Sequence, residues 1–196
     1  MLGSMLAALV GGAALLAQDA ARVDAASMER KLLAIVARSE LKPAQPSAPL
    51  RTSFTDREVN AFFKVNAADV VPDGIVDPVI TIDEGGRLQA RAQVDLQAAL
   101  KPKDRSWLDP LAWVPSGRMD VTASGVFQTV NGKGRLAIET ATLGGATIPK
   151  SVLQELVSYY TRTPDHPAGV NLDEPFDLPA NIKAIETHRG AATVVQ

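Results

Sequence analysis

From Gly86 to Leu100 apolar and polar side chains alternate almost without a break. Leu88, Ala90, Ala92, Val94 and Leu96 stand against Arg87, Gln89, Arg91, Gln93 and Asp95. A period of two puts the two sets on opposite faces of a strand. The dry face is thin, since two of its five residues are alanine. It covers either a closely packed core or a space left open, and the pattern serves both. The same period recurs over 76–83, 119–130 and 133–143. Glu84-Gly85-Gly86 is expected to close the first pair of strands as a hairpin. Asn131-Gly132, the preferred pair of a type I′ turn, is expected to close the second. Val121, Ala123, Gly125 and Phe127 fall on one face, and Leu136, Ile138, Thr140 and Thr142 on another. Strands of this kind predict an antiparallel sheet covered on one side. A last hairpin is expected from 181–186 and 190–196.

Other segments follow the helical period. Over 25–38, Leu32, Leu33, Ile35 and Val36 lie among Glu29, Arg30, Lys31 and Arg38, an amphipathic helix. Three prolines within 41–49 mark an irregular lead-in to the compact domain. Thr55 and Glu58 then stand in the relation of a capping box, with Val59, Phe62 and Phe63 on the apolar face of the helix they open. Pro149 suits the first turn of another helix. There Val152, Leu153, Leu156, Val157 and Tyr160 form a continuous apolar stripe. The sum is α+β: about six long strands in an antiparallel sheet, with two or three helices covering its dry face.

At the N-terminus, 5–17 is an uncharged run of signal-peptide length, too short to cross a bilayer comfortably, followed by small residues suited to cleavage. The basic residue that usually precedes such a run is missing. The division expected is 1–24 as signal peptide or N-terminal anchor, 25–49 as helix and proline-rich lead-in, and 50–196 as one domain. Export to the periplasm is expected, or retention at the inner membrane through an uncleaved segment. A buried helix of alanine and leucine is the alternative.

The 196 residues include no cysteine, which removes disulfides and thiolate chemistry. The net charge is −2 and the basic residues are scattered, so no nucleic-acid partner is expected. Two histidines, His166 and His188, sit in a proline-bounded loop and at a hairpin tip, far from any nucleophile elbow or metal-ligand spacing. The carboxylates of 83–84 and 173–177 fit turns and solvated loops. No catalytic residue, metal site or cofactor is expected, and the chain reads as a non-enzyme. Trp107 and Trp113, the only tryptophans, crowd into one irregular segment. They plug one end of the sheet or touch a bilayer surface.

A threonine-capped helix with Thr55, Glu58 and Asn60 is followed by long hairpins. After these come Pro149 and Leu153 at a helix start, and then Leu178, Pro179 and Ile182 before a final hairpin. In this order the chain resembles small exported bacterial proteins of the tubular lipid-binding (TULIP-like) superfamily, over roughly 53–196. The resemblance implies a strongly curved antiparallel sheet wrapped around one long helix, with an apolar groove between them for a lipid or other amphiphile. The groove would be lined by Leu88, Ala90, Ala92, Val94, Val121, Ala123 and Phe127 from the sheet, and by Leu153, Leu156, Val157 and Tyr160 from the helix. In this frame Ala90, Ala92, Ala123 and Gly125 keep the concave face low. Arg87, Arg91, Arg105 and Arg118 are the candidates for head-group contacts. The competing expectation is an assembly module with a solid core that binds another envelope protein. Neither reading sets an oligomeric state.

Overall fold

The computed structural model describes residues 4–41, 48–95, 117–160, 162, 167–169 and 171–196, with the side chains of 4–17, 67, 156 and 160 outside that description. Among the described residues the chain runs α1 (Ser4–Glu40), β1 (Arg51–Thr55), α2 (Asp56–Val65), α3 (Ala67–Val70) and β2 (Ile75–Ile82). A 3-10 turn (Glu84–Gly86) leads into β3 (Arg87–Asp95), β4 (Arg118–Val130), β5 (Lys133–Leu143) and β6 (Ala146–Thr147). Then follow α4 (Lys150–Tyr160), β7 (Phe176–Asp177), β8 (Ala184–His188) and β9 (Ala191–Val195). The class is α+β with antiparallel sheets, one long helix and short ones.

Two of the expected features are corrected. Instead of one sheet there are two: β1-β9-β8, and β2-β3-β4-β5-β6 with β7 beside β5. The final hairpin pairs with β1, a strand that the five residues Arg-Thr-Ser-Phe-Thr are too short to announce. The larger sheet is neither closed nor strongly curled. Curling a sheet takes repeated bulges or glycine kinks, and its ladders show two register shifts, at 76–79 and at 124–125. The long helix is also the N-terminal one. At 37 residues, α1 is about 55 Å long, whereas the 11 residues of α4 reach about 16 Å against about 44 Å of β4. α1 continues unbroken through position 24, and no helix among the described residues is long and apolar enough to cross a membrane.

The hydrophobic core lies where α1 and α2 meet the small sheet. Ile35, Phe54, Ile182 and Val194 are buried together, with Met28, Leu32, Val59, Leu178 and Ile185 packed around them. Met28, Leu32 and Ile35 recur on one side of α1, while Leu33 and Val36 turn to solvent. The closing Leu-Pro-x-x-Ile thus supplies two core residues. Between them Ala180 and Asn181 both take positive φ, and the Ile182 amide donates to the Pro179 carbonyl (3.1 Å), closing a tight turn.

Two side chains tie the layers together by satisfying backbone groups at a sheet edge. Asn60 of α2 donates from Nδ2 to the Ile80 carbonyl (2.8 Å) and accepts the Ile80 amide (2.7 Å), covering part of the free edge of β2. The Thr129 hydroxyl does the same for β8, accepting from the Ile185 amide (2.9 Å) and donating to its carbonyl (3.1 Å). Thr55 and Glu58 form the expected capping box. Glu58 also accepts from Ser27 Oγ (2.7 Å) and Lys31 Nζ (2.6 Å), so the same residue joins α1 to α2. The trio Thr55, Glu58 and Asn60 therefore holds the long helix, the cap and the larger sheet in one chain of bonds.

Candidate apolar binding surfaces

The strand register brings one set of the expected residues together. Across β3 and β4, Leu88 pairs with Gly125, Ala90 with Ala123, Ala92 with Val121 and Val94 with Met119. β5 continues the rows, but a bulge at Glu139 changes its phase. Gly125 pairs with Ile138, and the next pair is Ser124 with Thr140. Leu136 and Ile138 therefore share the dry face with Ala141 and Leu143. Thr140 and Thr142 turn to the wet face, where their hydroxyls bond those of Ser124 and Thr122 at 2.7 Å. This corrects the face expected from strict alternation, because one inserted residue inverts everything after it. Gly125 also has a different purpose. A Cβ there would stand 2.5 Å from the Ala137 carbonyl oxygen, so its smallness admits the close backbone of the bulge.

The result is a row of three alanines, Ala90, Ala123 and Ala141, in register across three strands and about 10 Å wide. Its exposure changes along its length: Ala90 is exposed, Ala123 half-buried and Ala141 only 2% exposed. Leu88, Ala92, Val94 and Val121 beside it are half-buried. Phe127 lies at the other end of the face. It stacks on Phe176 with ring centroids 6.2 Å apart, and its ring and Leu178 press close over Gly134.

The helix residues are not joined to this row by the described contacts. Val152, Leu153 and Val157 are half-buried, and the side chains of Leu156 and Tyr160 lie outside the described residues. α4 is fastened instead to the loop after it. Gln154 accepts the amide of buried Leu172 (2.7 Å), and Lys150 pairs with Asp173. Trp107, Trp113, Arg105, Leu96 and His166 also lie outside the described residues. Among the described residues no three carboxylate, histidine or thiol groups gather as a metal site.

A second surface was not foreseen. α1, α2 and β2 enclose a groove of about 790 Å³, within the usual size of a small-molecule site. Its walls are Ala21, Ala61, Phe63, Ile75, Val76 and Val79, and its lip carries Asp24, Arg57, Lys64 and Asp77. Arg57 and Asp24 pair across the two helices at 2.9 Å. The β2 wall is shaped by the shift between Val76 and Val79. There Asp77 takes φ 48°, uncommon for a residue with a side chain. Two signals for this wall were present in the sequence. Pro78 inside a strand pattern marks an edge. The adjacent apolar pairs Ile75-Val76 and Val79-Ile80 break the period of two, as a bulge does.

No family model and no curated protein matches this chain. Among solved structures, a lipopolysaccharide binding protein is similar in part, at 18% identity and a TM-score of 0.23, covering 75% of this chain and 40% of that one. The chain spans about two fifths of that protein's length, and a likeness of this size does not define a shared fold.

Proposed function

We propose that this chain is a non-enzymatic protein of the bacterial envelope that binds or shuttles a lipid or other amphiphile. The observation that carries the reading is the α1–α2–β2 groove, with apolar walls from three elements and a charged lip. Such a site takes an acyl segment by desolvation. About ten buried methylenes would gain about 8 kcal/mol, from which the cost of ordering the ligand is subtracted, so longer burial gives tighter binding. Lys64 and Arg57 at the lip suit an anionic or zwitterionic head group. The resemblance carried by Thr55, Glu58, Asn60, Leu178 and Ile182 points to the same ligand class, and the apolar run at 5–17 to the envelope.

The test is uptake of a fluorescent phospholipid from vesicles. Ala21→Phe and Val76→Phe, which place a ring in the groove, are expected to reduce uptake about tenfold with little change in thermal stability. Absence of uptake by the unmodified protein would overturn the reading. The half-open apolar face of β3–β5 favours a second one, an assembly module that docks another envelope protein there. In that case Ala92→Asp would abolish in-cell crosslinking from this face, and both groove substitutions would be silent.

A further inference from the structure

On the wet face of the larger sheet, Gln89, Arg91, Thr122, Ser124 and Thr140 line a hollow of about 390 Å³. The register places them in two adjacent rows. Gln89, Ser124 and Thr140 form one, and Arg91, Thr122 and Thr142 the other. We propose that this hollow binds a phosphate-type anion, with the Arg91 guanidinium and the hydroxyls of the two rows as donors.

The donor inventory carries the proposal. The hydroxyls pair as Thr122–Thr142 and Ser124–Thr140, both at 2.7 Å. In each pair one hydroxyl donates and the other accepts, so the accepting one keeps its own hydrogen for a ligand. The Ser124–Thr140 pair therefore keeps one O–H donor in the hollow, and Thr122 adds a second when it accepts from Thr142, beside the amide of Gln89 and the five N–H groups of Arg91. Among the described residues Arg91 and Gln89 have no side-chain hydrogen bond or ion pair, and no carboxylate lines the hollow. Asp120, one row away, is bonded to Gln93 (3.3 Å), and Asp95 is paired with Arg118 at 4.0 Å. Glu139 is the exposed bulge residue beside Thr140. A site rich in donors and holding one unpaired guanidinium selects an oxyanion, and the planar fork of arginine suits phosphate oxygens. This site lies on the face opposite the alanine row and does not depend on the amphiphile reading.

The experiment titrates the full chain with inorganic phosphate while amide resonances are followed by NMR, and measures flotation with phosphatidylglycerol and phosphatidylcholine vesicles. Saturable shifts confined to 89–91, 122–124 and 140 are expected, with affinity falling about tenfold in Arg91→Gln. Arg91 is exposed, so circular dichroism of that variant should be unchanged. Flotation with phosphatidylglycerol alone, lost in Arg91→Gln, would identify a lipid head group as the source. Site-specific phosphate binding without flotation would identify a soluble phosphorylated molecule. Shifts that do not saturate, or that persist unchanged in Arg91→Gln, would overturn the proposal.

Discussion

Replacing Glu58 by glutamine tests the joint between α1 and the rest of the molecule. Glu58 is 7% exposed. Burial alone would raise its pKa, but the hydrogen bonds from Lys31, Ser27 and the Thr55 amide, with the charge of Lys31, outweigh it and bring the value from the usual 4.5 down to about 2. At about 1.4 kcal/mol per tenfold change in proton affinity, the ionised carboxylate contributes about 3 kcal/mol to folding. The folded value is the lower one, so this contribution is complete above pH 4.5 and is lost as pH falls toward 2. Glu58→Gln keeps the shape and removes the charge. It should cost about 3 kcal/mol at pH 7, equivalent to about 6–12 °C in a chain of this size. The slope of stability between pH 4.5 and 2 should flatten in the variant. Urea unfolding followed by far-UV circular dichroism across that range measures both. A loss under about 1 kcal/mol at pH 7, or an unchanged acid slope, would refute the reasoning.

Asn60→Ala removes two bonds at the β2 edge and should cost about 1–3 kcal/mol, with faster hydrogen exchange of the Ile80 amide as the local readout. Gly134→Ala would bring a Cβ to 3.0 Å from Leu178 and from the Phe127 ring, and calorimetry should show a loss of about 1–3 kcal/mol. The alanine row predicts a contrast. Ala141→Phe should overpack and lower stability by more than about 2 kcal/mol, while exposed Ala90→Phe should stay within about 0.5 kcal/mol in the same denaturant assay.

The features legible in the sequence were the local ones. Asn131 and Gly132 adopt the positive φ values (50° and 79°) that their type I′ turn requires, and the capping box of Thr55 and Glu58 is present with both bonds. Such signals depend on residues a few positions apart. What escaped depends on distant partners. Nothing near Glu58 in the chain announces Ser27 and Lys31, about thirty residues earlier. β1 becomes a strand because β9 pairs with it from the far end of the chain. The bulge at Glu139 leaves a local mark, the adjacent polar pair Glu139-Thr140 that breaks the period of two, but carrying the alternation on from Leu136 and Ile138 puts Thr140 and Thr142 on the wrong face. The α1–α2–β2 groove joins segments more than fifty residues apart, so no single stretch of periodicity describes it.

The amphiphile reading meets its most direct test in native mass spectrometry of the chain from Gln18 onward, which retains the α1 residues of the groove, after incubation with phospholipid vesicles. A one-to-one lipid adduct, lost in Ala21→Phe and Val76→Phe, is the result the groove predicts. An apo mass alone, from protein whose circular dichroism shows it folded, would contradict it.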